Sequence, residues 1–349
     1  MILGIESSCD DSALALFDPG TGVRGHWMSS QVALHEKYGG VVPDLASREH
    51  LNNLPAMLGL IQGFLGETRP HSIFYTAGPG LAPCLAMGKA MAQALATAWY
   101  CPAYGVNHLR AHAYSPFLDF FEHSPTDFVE RFYEHLPHLG LLASGGNTLL
   151  YEISAIGTIE ILAETRDDAA GEAIDKGAKL LGLPYPGGPH IEKLAECGDS
   201  GYQKFPIGQN RQQDMFFSFS GLKTSLRYYL EAQTEEEVRQ NLCHLCASYQ
   251  EAVVQGLALR IKQAIRRNRR FRSLGLCGGV AQNRRLRAVL TGISEEQNLP
   301  FFVARKEYCG DNAAMIALAG YLERAALYEN APVRPSLPLT EQSLPKDQR

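Results

Sequence analysis

The N-terminal stretch ILGIESSCDDSALALF, residues 2–17, decides the fold. Two apolar runs, residues 2–7 and 12–17, flank a small, acidic turn at residues 9–11, which is the pattern of two buried strands joined by a hairpin. Residues 23–31 are a third candidate strand. The sequence therefore predicts that the chain opens with three consecutive hairpin-linked strands.

After these strands the pattern changes to helices that alternate with strands, and the whole order recurs from His138. A repeat this long indicates a duplicated domain and not a solenoid. We therefore expect an α/β protein with two β-β-β-α-β-α-β-α halves. The expected N-terminal lobe spans residues 1–137, and the C-terminal lobe spans 138–328 with an insertion near 184–235.

Three stretches lack clean periodicity. Residues 116–137 and 198–216 are polar or aromatic, and we expect surface loops there. Residues 329–349 are rich in Pro and polar side chains and cannot bury enough apolar area to fold independently. We expect this last stretch to be a flexible tail.

Each half has a small turn between its first two strands, SSCDD at residues 7–11 and SGGN at residues 144–147. In a pseudo-symmetric pair of lobes, these turns would face one another across a cleft, where backbone N–H groups could hold a phosphorylated ligand. Glycine-rich turns at 78–80, 187–189 and 278–280 favour the same interpretation, because glycine lets a backbone approach a phosphate closely. The sequence thus predicts a nucleotide cleft.

Composition restricts the class of protein further. The 349 residues are 45% hydrophobic and 20% charged, and their net charge of −5 disfavours non-specific adhesion to nucleic acid or membrane. No apolar run approaches the ~20 residues of a membrane span, and Glu6 interrupts the N-terminal run before it could serve as a signal peptide. Eight scattered cysteines lack the density of a disulfide scaffold. We expect a cytoplasmic protein without membrane attachment.

His108 and His112 form a candidate metal-binding pair. They are four residues apart in a predicted helix, so they lie on one face, one turn apart. Asp311 opens the last predicted helix at the matching point of the second half. Two imidazoles and one carboxylate with open positions suit Fe(II) or Zn(II). The alternative is a surface or capping feature, and the H-E-x-x-H peptidase motif is absent because Leu109 follows His108.

Asp175 lies on a predicted helix that enters the glycine turn at 187–189. A carboxylate at such a point can accept two ribose hydroxyls. A solvated helix face is an equal alternative. The sequence alone does not choose between these two interpretations.

Residues 260–272 form the most basic run of the chain, and further arginines follow at 284–287. Because the net charge is negative, such a run is the best local candidate for contact with a phosphate backbone. The alternative is a solvated helix end, favoured by the helix dipole. The run contains these cations: Arg260, Lys262, Arg266, Arg267, Arg269, Arg270 and Arg272.

Nine motifs in the right order, from Met1 to about residue 325, resemble the tRNA N6-adenosine threonylcarbamoyltransferase family of the bacterial TsaD type. They are ILGIESSCDDS (2–12), KYGGVVPDLASREH (37–50), GPGL (78–81), the His108/His112 pair, SGGNT (144–148), DAAGEAIDKGAKLLGLPYPGGPHIEK (168–193), FSFSGLKT (217–224), GGVAQNRRLR (278–287) and GDNAAMIA (310–317). The resemblance implies an actin/Hsp70-like (ASKHA) fold of duplicated RNase H-type lobes with a nucleotide cleft between them. It also implies transfer of the threonylcarbamoyl group of threonylcarbamoyl-AMP to N6 of adenosine 37 in tRNAs that read ANN codons.

The same resemblance implies the site residues, motif by motif. One divalent metal ion per subunit, Fe2+ or Zn2+, would be bound by His108, His112 and Asp311. The phosphate side of the nucleotide ligand, whether threonylcarbamoyl-AMP, ATP or AMP, would be bound by Ala143, Ser144, Gly145, Gly146 and Asn147. The nucleoside would be bound by Asp175, Gly188, Glu192 and Asn283. Asp11 stands where the family usually has Glu and is the candidate to orient or deprotonate the attacking amine.

The family resemblance further implies partners. Besides tRNA and threonylcarbamoyl-AMP, these are a paralogous non-catalytic subunit of the TsaB type and a small P-loop ATPase of the TsaE type. This chain contains no Walker-type G-x-x-x-x-G-K-[ST] motif of its own.

Several positions besides Asp11 depart from the family pattern in the motifs HLRAH (108–112), SGGNT (144–148) and CGDN (309–312), and two of them change the chemistry of the predicted site. Arg110 stands between the two histidines where the family has Glu, and Asn147 stands in the glycine loop where the family has His. A divergent, non-catalytic nucleotide-binding paralogue that scaffolds a complex is therefore an alternative. A metallopeptidase and an actin-like ATPase are weaker alternatives, because the first lacks its glutamate and the second needs no metal site of this kind.

Overall fold

A computed structural model describes residues 1–66, 68–123, 125–208, 215–268 and 270–342. The strands are β1 (Ile2–Glu6), β2 (Asp11–Asp18), β3 (Gly22–Ser30), β4 (Ser72–Gly78), β5 (Ala103–Asn107), β6 (His138–Ala143), β7 (Thr148–Ile153), β8 (Ile159–Glu164), β9 (Ser273–Cys277) and β10 (Phe301–Val303). The α-helices are α1 (Val32–His35), α2 (Pro43–Leu65), α3 (Ala82–Trp99), α4 (His108–Tyr114), α5 (Leu118–His123), α6 (Phe128–Glu134), α7 (Ala170–Leu180), α8 (Gly187–Ala195), α9 (Ser220–Glu231), α10 (Glu235–Gln240), α11 (Leu242–Arg267), α12 (Arg284–Gln297) and α13 (Ala313–Glu323).

The strands form two five-stranded sheets of the same topology, in the orders β3-β2-β1-β4-β5 and β10-β9-β6-β7-β8. In each sheet the first three strands in sequence pair antiparallel, and the first strand also pairs parallel with the fourth. Both hairpins form at the expected places, because the turns at 7–11 and 144–147 each join two buried strands that are mostly apolar. The predicted duplication is confirmed.

The chain divides into two compact units, Met1–Phe132 with Val303–Arg349, and Tyr133–Phe302. This division differs from the expected boundaries at 137 and 328, because α13 packs on β1, β2 and α4 of the first unit. In that unit α2 covers the sheet with Leu54, Met57, Ile61 and Leu65, which recur at helical spacing. Within the described residues, no helix combines the length and the apolar character that a bilayer crossing requires.

Two stretches that the sequence pattern assigned to loops or tail are ordered in the structure. Residues 116–137 contain α5 and α6, whose Phe121 and Phe128 are fully buried against each other, with ring centroids 4.6 Å apart. The two helices have only six and seven residues, which is too short for a helical period to be visible in the sequence. Burial of the aromatic rings stabilises the segment. Residues 331–342 lie against the first unit and bury Leu337 and Leu339, which differs from the flexible tail that we expected.

Candidate functional site

The first unit brings His108, His112 and Asp311 together. His108 is the first residue of α4 and directly follows β5, so it lies at the carboxyl end of a parallel strand. Nε2 of His112 lies 3.0 Å from Oδ1 of Asp311, and Nε2 of His108 lies 3.5 Å from the same oxygen. One ligand atom from each residue lies within 4.8 Å of the other two. The predicted cluster therefore forms, with both imidazoles aimed at one carboxylate.

Two polar contacts fix α4 and the orientation of His108. The side chain of Asn107 caps α4 by accepting hydrogen bonds from the backbone N–H groups of Leu109 and Arg110. Oε2 of Glu6, a residue with no exposed surface, lies 3.0 Å from Nδ1 of His108. Since that carboxylate accepts from Nδ1, Nε2 is the nitrogen that faces Asp311, and it is the one that could exchange its proton for a metal ion.

Glu6 and Asn107 are parts of this site that the sequence pattern did not indicate. The signal for Glu6 is an acidic residue at the carboxyl end of an otherwise apolar, buried strand, where a charge needs a partner. The signal for Asn107 is a favoured N-cap residue between a strand and a helix. Both signals depend on knowing which strand ends meet, which the sequence does not specify.

The charges of this cluster shift one another. Burial would lower the pKa of His108, but the carboxylates of Asp311 and Glu6 outweigh it and raise that pKa to about 9. Burial would raise the pKa of Asp311, but the two histidines hold it well below its usual range. The pKa of His112 is lowered, mainly by burial. His112 is thus held ready as a neutral imidazole, the form that binds a metal ion.

The donor set fits one divalent metal ion. In tetrahedral geometry, ligand atoms about 2.1 Å from an ion lie about 3.4 Å from each other, close to the separations from Asp311 given above. Glu6 acts behind His108 as an outer carboxylate, as metal-binding histidines usually require. The buried Nδ1 of His112 has no hydrogen-bond partner among the described residues, so its orientation is fixed through Nε2 alone.

Asp11, the candidate base, begins β2 in the same unit. Its Oδ1 is buried and has no hydrogen-bond partner among the residues that the structure describes. Burial, and then the charge of Asp311, raise the pKa of Asp11 to about 7. A carboxylate with this pKa can exchange a proton near neutral pH.

In the second unit, the loop Ser144-Gly145-Gly146-Asn147 joins β6, which ends at Ala143, to β7. The backbone N–H of Ser144 donates to the carbonyl of Asn147 at 2.8 Å, so the turn is closed. Side-chain atoms added at Gly145 or Gly146 would meet nothing within 4 Å, and both residues are exposed. No crowding by the described protein explains these two glycines, and the open space beside them is what a phosphate needs.

Two more segments surround this loop. The backbone N–H of Gly171, in the first turn of α7, donates to the carbonyl of Ser144 at 3.1 Å. Gly278, with φ +88°, lies so close to the carbonyl of Ala143 that any side chain would collide with it. The structure therefore brings the predicted loop together with the start of α7 and with the glycine turn after β9.

The four predicted nucleoside residues are linked through α8. Oδ1 of Asp175 accepts a hydrogen bond from the N–H of Gly187 at 2.7 Å, and the N–H of Gly188 also contributes to its environment. Glu192, farther along α8, accepts from the backbone N–H of Arg284 at 2.6 Å. Asn283 caps α12, since its Oδ1 accepts from the N–H of Leu286 at 2.9 Å. Asp175 is therefore not on a freely solvated helix face, because its half-buried carboxylate accepts hydrogen bonds at the glycine turn that begins α8.

Beside these residues the surface forms an open depression of about 250 Å³. Its lining residues are Glu192, Ala195, Glu196, Gln250, Arg284 and Arg285. Arg284 is paired with Glu192 and Glu196, and Arg285 is paired with Glu251. These arginines are largely neutralised by neighbours within the unit.

A family model and curated relatives match this chain over most of its length and carry the same name. The model of the family "TsaD: tRNA N6-adenosine threonylcarbamoyltransferase" matches residues 22–318. Two curated proteins of that name, from Anaeromyxobacter dehalogenans strains 2CP-1 and 2CP-C, are each 44% identical over 322 residues, which cover 91% of this chain and 92% of theirs.

Solved structures with low sequence identity share the fold. The chain resembles HypF of T. kodakarensis with a TM-score of 0.59 and 16% identity, over 93% of this chain and 48% of that one. It resembles component A of the (R)-2-hydroxyglutaryl-CoA dehydratase of Acidaminococcus fermentans with a TM-score of 0.52 and 13% identity, over 93% and 98% of the two chains. With the two repeated sheets, this likeness establishes the expected actin-like α/β fold.

Proposed function

The chain belongs to the tRNA N6-adenosine threonylcarbamoyltransferase family and is a transferase of tRNA modification, and from this premise we propose its substrates, its metal and the roles of its residues. It transfers the threonylcarbamoyl group of threonylcarbamoyl-AMP to N6 of adenosine 37 in tRNAs that read ANN codons. The observation that carries the proposal is the convergence of His108, His112 and Asp311 within a chain that matches the family over residues 22–318.

His108, His112 and Asp311 hold one divalent metal ion, Fe2+ or Zn2+. When bound, such an ion supplies Lewis-acid stabilisation of negative charge on a phosphate or carbonyl oxygen. Glu6 holds the proton of His108 at Nδ1, so that Nε2 stays available as a ligand. The open coordination positions of a three-residue site leave room for substrate oxygen atoms.

Residues of the second unit bind the adenylate. Backbone N–H groups of the Ser144–Asn147 loop bind the phosphate side, which the open space at Gly145 and Gly146 supports. Asp175, Gly188, Glu192 and Asn283 bind the nucleoside. Oδ1 of Asp175 already accepts a hydrogen bond from the N–H of Gly187. Its other carboxylate oxygen is therefore the one that accepts a hydrogen bond from a ribose hydroxyl.

Asp11 handles the proton of the reaction. As the adenine N6 attacks the carbamoyl carbon, a bond forms from nitrogen to carbon, the bond to the AMP oxygen breaks, and the nitrogen must lose one proton. The raised pKa of Asp11, about 7, suits a carboxylate that takes up this proton at neutral pH. Because adenine N6 is a weak nucleophile, positioning supplies most of the acceleration.

The companions are a TsaB-type paralogue and a TsaE-type P-loop ATPase, and the location is the cytoplasm. The absence of a Walker-type motif from this sequence supports the need for a separate ATPase. Purified chain alone is expected to give weak, slow modification.

One experiment tests the transfer and the metal together. Unmodified tRNA is incubated with threonine, bicarbonate, ATP, the companion proteins and either the native chain or His112→Ala, and the tRNA nucleosides are measured by mass spectrometry. His112→Ala should lose bound metal, and the amount of modified nucleoside should fall at least tenfold. His123→Ala, at an exposed position of α5, should behave as the native chain.

The outcomes separate the alternatives. No threonylcarbamoyladenosine from the native chain, with adenylate binding retained, would identify a non-catalytic paralogue. Full metal occupancy of His112→Ala by elemental analysis would remove the metal assignment.

A further inference from the structure

Residues 331–342, which we name the C-terminal strap, contact the parts of the first unit that carry the proposed metal ligands. The strap has no helix or strand of its own. It is nevertheless held: Leu337 and Leu339 are each 1% exposed. A segment without regular structure that buries leucines must gain its hydrogen bonds elsewhere.

Two of those hydrogen bonds join the strap to the carboxyl end of β4 and the turn after it. The N–H of Arg334 donates to the carbonyl of Ala77 at 2.7 Å, and the carbonyl of Pro335 accepts from the N–H of Gly80 at 3.1 Å. Any side chain at Gly78 would collide with the carbonyl of Arg334. Glycine at position 78 therefore leaves the space that the backbone of Arg334 occupies.

The other contacts reach the first turn of α4 through Asn107. Its Nδ2 donates to the carbonyls of Pro338 and Glu341, each at 2.8 Å, while its Oδ1 accepts from the N–H groups of Leu109 and Arg110. One buried amide thus joins the strap to the N-terminal end of α4, where His108 lies. Both of its N–H donors and its carbonyl oxygen are used.

Arg110 makes a second link one turn along the helix. Its NH1 donates to the carbonyl of Leu339 at 3.2 Å, and its other guanidinium nitrogens bind Glu323 of α13. The same carboxylate accepts from the hydroxyl of Tyr114 at 2.8 Å. One buried network therefore links the strap to α4, which carries His108 and His112, and to α13, which begins just after Asp311.

We propose that the C-terminal strap is a positioning element of the metal site, which acts through Asn107 and Arg110 to set α4 so that His108 and His112 stay aimed at Asp311. This rests on the metal assignment made under the proposed function. The strap contacts no ligand atom, so its effect is on metal affinity and coordination geometry. It gives the strap a role in the site although its Pro338 and Glu341 lie 231 and 234 residues from Asn107 along the sequence.

Asn107→Asp tests the link without removing the cap. Aspartate keeps an oxygen for the N–H groups of Leu109 and Arg110, but it replaces the two N–H donors with an oxygen that faces the carbonyls of Pro338 and Glu341. Co2+ is the probe, because its visible absorption reports both occupancy and geometry. We expect the Co2+ dissociation constant to rise about tenfold, as for the loss of an outer partner of a metal ligand, with altered absorption bands.

Two further variants complete the design. Arg110→Lys keeps a positive charge opposite Glu323 but has one nitrogen in place of the three that bind Glu323 and Leu339, so it weakens the link and should raise the dissociation constant by less. Ser336→Ala changes an exposed strap residue and should leave Co2+ binding within twofold of the native chain. Circular dichroism establishes that each variant is folded, and Arg110→Lys carries the test if Asn107→Asp does not fold.

The results distinguish the two proposals. If the native chain binds Co2+, His112→Ala does not, and the folded Asn107 and Arg110 variants match the native affinity and bands, the strap proposal is overturned and the metal site stands. If His112→Ala binds Co2+ as well as the native chain does, the metal assignment falls and the strap proposal falls with it.

Discussion

Arg110 places a positive charge in the helix that carries both histidines, where a cation would be expected to repel a metal ion. In the structure its guanidinium points instead to Glu323, and both side chains are buried. The carboxylate neutralises the charge locally, because opposite charges interact strongly in a buried, low-dielectric environment. This departure from the family pattern is therefore compatible with a metal site one turn away.

Asp11 gives a prediction at the residue scale that needs no substrate. Its pKa of about 7 in the folded chain is higher than the ordinary 3.8, so the folded state holds a proton that the unfolded state has already released. Its contribution therefore destabilises the fold progressively as pH rises from about 4 to about 7, and is constant above that.

Asp11→Asn removes this titration. Relative to the native chain, the variant should gain stability as pH rises through the same window, on the order of 4 kcal/mol by pH 8, because each unit of a pKa shift from 3.8 to about 7 is worth about 1.4 kcal/mol. Urea unfolding at pH 5 and pH 8 in the presence of a chelator measures the gain, and Asp44→Asn, on an exposed position of α2, is the control. A gain that is equal at both pH values would show that Asp11 titrates normally.

Asp175 can be tested with its two roles separated. Asparagine keeps an oxygen for the N–H of Gly187 but loses the charge and one acceptor, so Asp175→Asn should retain the stability of the fold. It should lose about 1–3 kcal/mol of AMP binding free energy, which is a roughly 5- to 150-fold weaker affinity by calorimetry. Glu172→Gln makes the same charge change on the same helix and should bind AMP normally. Native affinity in Asp175→Asn would leave Asp175 as a helix cap only.

At the scale of elements, the sequence predicts what local pattern specifies. The hairpin at 2–17, the repeat of its order after His138 and the histidine pair at the start of α4 follow from periodicity and spacing. The strap does not, because its order comes from carbonyl groups that bind Asn107 and Arg110, and such bonds leave no pattern in the strap's own residues. For the same reason, the joining of α13 to the first unit could not be read from a repeat that places it in the second half.

The contact between α4 and α13 yields a stability prediction. Glu323→Ala leaves the buried Arg110 without its carboxylate and Tyr114 without its acceptor, and breaking a buried pair in this way costs about 3–5 kcal/mol. Chemical unfolding of Glu323→Ala should show this loss, while Glu296→Ala, an exposed position on α12, should stay within about 0.5 kcal/mol of the native chain. A loss below about 1 kcal/mol for Glu323→Ala would mean that Arg110 finds solvent or another partner.

At the scale of the whole molecule, a net charge of −5 requires that tRNA be met by a local positive surface. The basic run at 260–272 offers fewer free charges than its sequence indicates. Arg260 is buried and binds the carbonyls of Phe216 and Gly208, and Arg270 is paired with Glu152. Arg269 lies outside the described residues. Arg266 and Arg272 are exposed, and they are the members of the run that we expect to meet a phosphate backbone.

The double variant Arg266→Gln/Arg272→Gln should therefore weaken tRNA binding and reduce the slope of log affinity against log salt concentration. Each lost phosphate contact lowers that slope by about 0.7–0.9, because fewer counterions are released on binding. Filter binding over a range of salt concentrations measures both quantities, and Arg24→Gln/Arg69→Gln removes the same charge from exposed positions of the first unit. If the two double variants lose affinity and slope equally, the effect is one of net charge. If only the first does, the basic run at 260–272 contacts tRNA, and unchanged binding in both would assign the tRNA surface elsewhere.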